Sequence, residues 1–398
     1  MLPATATDLR QAGLARALTV LHAGEGELTR ADLARALRCT RATAAALASD
    51  LRRLGLAAEV APGATGRRGR PSPRLVPALG GPVVVALEIG VDAVRVATAG
   101  LGGRLREVEA VPLARRDPGH VLAAARELLE RRLAAVGPRC AGVGIAAYGL
   151  VAAPSGVVVS APNLGWTDEP VLPRLGLPDG LPAHVDNVAH LWALADARPG
   201  SAAASGTVLF LHSGVGLGGA LVVDGRPLRG RSGLAGEFGH LPVGRAELPC
   251  RCGARGCWEP EVDQAALARA AGGDDRPDAA AATAARVLGA AAAGDAQACR
   301  AVHQVATALG RGIGALVTAH DPDLVVLAGH AADLLAAAGP CVVDAAGNAA
   351  LRASHEGLPP IRPTGYPADG GLVGAAEAVL GPLLDDPAAL AAHAEVAR

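Results

Sequence analysis

The chain has 398 residues, 51% of them apolar but only seven aromatic, so its cores must be built from Ala, Val and Leu across two or three domains. All 37 basic residues are arginine, set against 38 acids; with Ala, Gly and Pro also abundant this reads as a compositional bias, and arginine richness alone does not argue for nucleic acid. The sequence holds no uninterrupted apolar run of about 18 residues, and its start, MLPATATDLR, lacks the form of a leader, so the expectation is a cytoplasmic protein with no membrane partner.

Charge is uneven. Residues 1–77 hold 12 Arg against 6 acids, a net of +6, and the remainder holds 25 against 32, a net of −7. Within the basic part, residues 8–22 (DLRQAGLARALTVLH) carry apolar residues at helical spacing. In GELTRADLARALRC, Thr29 is a good N-cap with Asp32 three residues on. A break at Arg38-Cys39 leads to a second helix capped by Thr40, lined by Ala44, Leu47, Leu51 and Leu54 and ended by Gly55. Two helices joined by a tight turn predict a helix-turn-helix. LAAEV, the loop GATGRRGRPSP and RLVP then predict a wing whose Arg67, Arg68 and Arg70 suit phosphates or a minor groove. A small helical bundle with a solvated basic linker would explain the helices alone; the charge and the wing tip favour DNA, with Arg30, Arg41 and Thr43 as further contact residues.

Residues 76–82 (VPALGGP) mark a boundary, so residues 1–77 are expected to form a winged helix-turn-helix DNA-binding domain. Beyond it, Val83–Leu87 opens a strand–turn–strand that recurs at TVLFLHSGVGLGGALVV. There Gly214, Gly216, Gly218 and Gly219 interrupt two apolar strands, and Asp224-Gly225 makes a hairpin turn. Bare glycines let backbone N–H groups approach an oxyanion, but the stretch lacks the Lys-Ser/Thr of a P-loop. Strands alternate with helical stretches at 120–136, 187–198, 263–272 and 278–317, so the class is α/β.

CRCGARGCWE then places Cys250, Cys252 and Cys257 in a C-x-C-x4-C spacing with Gly253 and Gly256 for a knuckle turn. Thiolates so spaced converge on one zinc, and His240, ten residues upstream in GEFGHLPV, supplies the fourth ligand. Reduced structural thiols fit poorly, because Gly and Arg around them give no apolar burial. Cys39, Cys140, Cys299 and Cys341 are expected to be ordinary core thiols.

GEFGH followed by CRCGARGCWE resembles the paired signature of the ROK family (repressors, open reading frames and sugar kinases). The likeness extends over nearly the whole chain. GRRGRPS is similar to the family's repressor branch, APNLGW (161–166) to its sugar-contacting loop, and DPDLVVLAGH (321–330) to its late nucleotide-side strand. The resemblance implies an actin-like (ribonuclease H-like) two-lobed ATPase fold of the sugar-kinase type, with a sugar cleft between lobes. The first lobe would hold 82–195 plus about 372–398, and the second 196–371 with the zinc motif. It also implies that Asn163, Asn187, Glu237, His240 and Glu259 bind sugar hydroxyls, with His240 shared between zinc and sugar. Four protein ligands leave no open position, so the zinc would be structural.

The same resemblance marks departures from a kinase. VDNVAHLWALAD sets Val188 where family kinases carry an aspartate, and a valine cannot accept the proton of an attacking hydroxyl. His190 replaces an asparagine. The first-strand motif reads Glu88, Ile89, Gly90, Val91, Asp92 without the hydroxyl that faces phosphate, and a late glycine triplet becomes Ala328, Gly329, His330. Phosphoryl transfer needs metal, base and phosphate cradle together, so no catalytic residue and no ATP are expected. The expectation is a sugar-responsive transcriptional regulator, a repressor, acting as a homo-oligomer (dimer or tetramer) on operator DNA. The alternatives are an ATP-dependent, glucokinase-like sugar kinase that also binds DNA, and a DNA-binding protein whose C-terminal region only dimerises. His190 and Trp192, on a predicted helix, would pack rather than reshape the sugar pocket, the other reading open to them; Trp166 would either stack on a sugar or anchor its loop.

Overall fold

The computed structural model describes residues 6–24, 28–61, 73–197, 206–351 and 357–394. The chain divides into two compact units. The first holds residues 1–147, 170–186 and 371–398, and the second holds 148–169 and 187–370. The basic N-terminal segment thus groups with the first sheet, and residues 148–169 and 187–195 group with the second unit.

The chain begins with α1 (Ala6–Ala23), β1 (Leu28–Thr29), α2 (Arg30–Leu37) and α3 (Arg41–Arg53), followed by β2 (Ala57–Val60) and β3 (Arg74–Pro77). Thr29 caps α2 in a full capping box with Asp32, and Thr40 caps α3 by accepting from the Thr43 N–H. The expected helix pair is therefore present. The strands form a small antiparallel sheet in the order β1-β3-β2, with β1 an addition the sequence did not mark. Leu18, Leu21, Leu33, Leu47, Leu51 and Leu56 fill the core between them. That core continues into the rest of the unit, taking in Leu101, Ala141, Leu384 and Leu390. The segment at 76–82 is a boundary along the chain but not a break in packing.

The first unit's main sheet is built from β4 (Val83–Ile89), β5 (Ala93–Gly100), β6 (Leu105–Pro112), β7 (Cys140–Ala147) and, after α4 (Pro118–Val136), three strands of the second unit and α5 (Val171–Leu175), β11 (Ala183–Asn187). Its order is β11-β7-β4-β5-β6, with β4 antiparallel to β5 and parallel to β7. Nearly every residue of β4 and β7 is buried, as a strand covered on both faces requires. The interposed strands β8 (Leu150–Ala152), β9 (Val157–Ala161) and β10 (Trp166–Pro170) form a separate three-stranded sheet.

The second unit repeats the plan. After α6 (Val188–Ala197) come β12 (Thr207–Ser213), β13 (Leu217–Val223) and β14 (Arg226–Pro227). The helices α7 (Gln264–Ala270), α8 (Ala280–Ala292), α9 (Ala296–His320) and α10 (His330–Ala349) alternate with β15 (Leu324–Gly329) and β16 (Ile361–Pro363). The sheet order is β14-β13-β12-β15-β16, with β12 antiparallel to β13 and parallel to β15. The stretch 278–317, read as one helical run, is two helices: the chain turns at 293–295 and Asp295 caps α9 afresh. The chain closes with α11 (Gly370–Leu384) and α12 (Pro387–Ala391). Among the described residues no helix is long and apolar enough to cross a membrane.

Candidate functional site

The cysteine segment folds as a knuckle. The Cys250 N–H donates to the Ala254 carbonyl at 2.9 Å and the Gly253 N–H to the Cys250 carbonyl at 3.0 Å, which turns the chain back on itself. The knuckle is anchored from behind by Trp258, fully buried, whose indole N–H donates to the Ala308 carbonyl of α9 at 3.0 Å. Glu261 adds to the anchor, accepting from Arg245 at 2.7 Å and from Arg311 of α9.

His240, Cys250, Cys252 and Cys257 each point one donor atom at a common point, all four atoms lying within 4.8 Å of one another. Cys252 Sγ and Cys257 Sγ are 3.7 Å apart, as are Cys250 Sγ and His240 Nδ1. A tetrahedral ion with metal–sulfur bonds of about 2.3 Å sets its donors about 3.8 Å apart, so the cluster fits such an ion. Burial pushes the Cys250 thiol up to about 12 and raises that of Cys257, while at Cys252 burial is outweighed by the hydrogen bonds of the Ala254 backbone and the neighbouring thiols, which lower it; a cation at the centre would favour the thiolate form of all three. His240 turns Nδ1 to the cysteines and Nε2 toward Glu237, 3.8 Å away.

That second ring nitrogen opens on a cavity of about 290 Å³ whose lining residues all belong to the second unit. Asn163, Asn187, Glu237, His240 and Glu259, the five residues expected to grip hydroxyls, all line it. They differ in how free they are. Glu237 is partly buried, and burial raises its carboxyl above the usual range. Glu259 is buried and accepts from the Leu217 N–H at 2.9 Å. A Cβ on Gly216 would lie 2.6 Å from the Glu259 carboxylate, so with any larger residue there that carboxylate would have to shift. The glycine-rich turn thus receives the protein's own carboxylate. Asn187 donates to the Gly149 carbonyl and accepts from the Ala189 N–H, both at 2.7 Å, so its amide ties a loop to the start of α6.

Val188, the first residue of α6, also lines the cavity and is 5% exposed. Three further lining residues were not singled out from the sequence. Arg251, held between two of the cysteines, donates to Asn163 Oδ1. His212, at the end of β12, lies 5.0 Å ring to ring from Trp192, and burial lowers it to about 4. Ser160 adds a hydroxyl from β9. The spacing of C-R-C was enough to put Arg251 beside the site; nothing in the sequence marked His212.

The other departures are also in place. Glu88 is buried with Arg95 3.8 Å away, and Asp92 accepts from Arg116 at 2.8 Å. His330 is buried at the start of α10, and burial lowers it to about 4. His190 Nε2 lies 2.7 Å from the Ala235 carbonyl, which pins the loop carrying Glu237, so this residue does more than pack. Trp166 is buried and lies outside the cavity lining, as a loop anchor does. Cys140 is buried, and Cys39, Cys299 and Cys341 are partly so, all as free thiols.

Of the residues expected to meet DNA, Arg41 is exposed at the start of α3 with no ion pair among the described residues. Thr43 holds the α3 cap, its hydroxyl 2.9 Å from that of Thr40. Arg30 is bound to Glu59 of β2 at 2.6 Å. Arg67, Arg68 and Arg70 lie outside the described residues.

Comparison with known proteins gives three findings. The sequence model of the ROK family matches residues 84–381. Among curated relatives, a glucokinase of Halalkalibacterium halodurans is 30% identical over 261 residues, covering 62% of this chain and 79% of that enzyme. A xylose repressor of Caldicellulosiruptor bescii is 31% identical over 201 residues, 48% of this chain and 50% of the repressor. Among solved structures, a ROK family transcriptional regulator, a homologue of the E. coli MLC protein, superposes with a TM-score of 0.72. It covers 97% of this chain and 99% of its own, and at 23% identity it speaks for the fold alone.

Proposed function

The chain belongs to the ROK family, and from that premise we propose that it is a sugar-responsive, DNA-binding transcriptional regulator that does not transfer phosphate. One observation carries the reading. Asn163, Glu237, His240 and Glu259 line a cavity of about 290 Å³, and Val188, at the position where the resemblance implies a kinase's base, lines it too. The cavity can hold hydroxyls by accepting and donating, but it offers no carboxylate at Val188 to deprotonate one.

Zinc is the ion the Cys3His donor set suits, and it would supply a fixed positive centre with no open coordination position. His240, Cys250, Cys252 and Cys257 would hold it. Their role toward the ligand is positional: the knuckle presents Arg251, and His240 presents Nε2 to the cavity. The partners on this reading are a sugar effector and operator DNA. DNA would be met by the start of α3, with Arg41 in front, and by the wing arginines. A symmetric operator would require at least a dimer.

Titrating duplex DNA with the full chain at fixed salt, against a panel of monosaccharides, tests the reading. A sugar should shift DNA affinity by about 5- to 150-fold, and Glu237→Ala should abolish the shift while leaving DNA binding intact. If no sugar binds or shifts affinity, the sensor reading fails. The likeness to a glucokinase supports a second reading, an ATP-dependent sugar kinase. A coupled assay with ATP and hexoses decides it. On the regulator reading the wild type gives no turnover; on the kinase reading it turns over, and Val188→Asp adds little.

A further inference from the structure

We propose that a buried pair, His22 and Glu377, is the joint through which the state of the cavity reaches the DNA-binding helices; the inference rests on the sensor reading above. His22 lies in the last turn of α1 and Glu377 in α11, 355 residues apart. Their side chains are 4% and 0% exposed, and His22 Nε2 meets Glu377 Oε1 at 2.8 Å. The Gly102 N–H, in the turn between β5 and β6, donates to His22 Nδ1 at 3.0 Å. That occupies the lone pair of Nδ1 and leaves the ring proton on Nε2, donated to Glu377. Glu377 Oε2 is buried with no partner among the described residues. The carboxylate therefore depends on His22.

Apolar contacts alone do not explain such a pair. Leu18 and Leu21 of α1 already share a core with Leu101, Leu384 and Leu390. Those contacts are non-directional and tolerate sliding. Two hydrogen bonds to one imidazole fix the rotation and register of α1. What α1 does, α3 follows: Arg10 of α1 grips Asp50 of α3 with bonds of 2.9 and 2.7 Å.

The start of α11 continues a segment held by α6, the helix whose first residues line the cavity. Val188 and Ala189, at the start of α6, line it. Further along α6, Asp196 accepts from the Gly365 N–H at 2.9 Å and from the Thr364 hydroxyl. Trp192 of α6 lies so close to Gly370 that a Cβ there would be 2.3 Å from the ring. So α6 holds the 364–370 segment at two points, and that segment runs straight into α11. The line is cavity, α6, residues 364–370, α11, Glu377, His22, α1, Arg10, Asp50, α3.

The test uses the full chain. DNA comes from duplexes it selects out of a random library; the sugars are D-glucose, D-xylose and N-acetyl-D-glucosamine. Sugar affinity and DNA affinity are measured separately, then the ratio of DNA affinities with and without sugar. The double variant His22→Leu/Glu377→Met replaces both partners by apolar groups, a change that folds readily. It should keep each separate affinity within about 3-fold while the sugar-induced ratio falls at least about 5-fold. Glu377→Met alone should lose the ratio too, and Glu377→Gln, which keeps an oxygen for the Nε2 proton, should largely restore it. A double variant that responds to sugar as the wild type does overturns the joint and leaves the sensor reading standing. A wild type with no sugar response removes both.

Discussion

Val188 is the residue on which the functional reading turns, and its meaning came from the sequence together with the resemblance, since a valine beside Asn187 has no chemistry of its own. What the sequence could not give was the state of the neighbouring imidazoles. His212 and His330 are held at about 4 by burial, well below the ordinary histidine value of 6.5. Between those values the unfolded chain binds protons that the folded chain does not, so their contribution to stability is full above about 6.5 and is lost as pH falls toward 4. The ceiling is about 3 kcal/mol for each. Asp263, raised to about 7 by burial at the start of α7, acts in the opposite sense: its contribution shrinks as pH rises from 3.8 to about 7. Urea midpoints of the wild type and of His212→Gln/His330→Gln, compared from pH 7 to pH 5, isolate the histidines. The wild type should lose more stability over that interval, and parallel curves would refute the assignment.

At the scale of elements, the knuckle and the helix caps were legible because each is local: a thiol spacing, a Thr with Asp three residues on. Asn163 and Glu259 were found only through motif resemblance, because their convergence depends on strands far apart in the chain. The break between α8 and α9 was missed because alanine on both sides hides it; Asp295 was the available signal. The knuckle carries a prediction. On the sensor reading, since Arg251 lies within the knuckle and His240 shares its donor cluster, removing a bound metal with a chelator, or Cys257→Ser, should weaken sugar binding about 10-fold or more. Calorimetry with the sugar found by titration checks this, and unchanged affinity would separate the knuckle from the cavity. A second prediction concerns the α1–α3 contact. Arg10 holds the Asp50 carboxyl below the usual range, but Arg10 is largely exposed. Asp50→Ala should therefore cost only about 1 kcal/mol in a denaturant melt.

At the scale of the molecule, on the regulator reading, the charge split between residues 1–77 and the rest places DNA at the basic N-terminal segment. DNA affinity should fall linearly in log–log form with salt, and wing variants should flatten that slope. Arg67→Ala and Arg41→Ala should each reduce it by about 1 if the side chain meets a phosphate; an unchanged slope removes that residue from the interface. The sequence boundary at 76–82 suggested a head that stands alone, and composition gave no hint otherwise. The reason is that the shared core is made by Leu384 and Leu390, residues that look like any other apolar tail in an alanine-rich stretch.

The meeting of Leu18 and Leu33 with Leu384 and Leu390 has a consequence for biosynthesis. The ribosome makes α1 well before α12, so the apolar faces of α1 and α2 are fully covered only once the later helices have been made. A nascent or prematurely terminated polypeptide would carry an unfinished head, and a graft of residues 1–77 onto another protein would need the distal helices brought along with it.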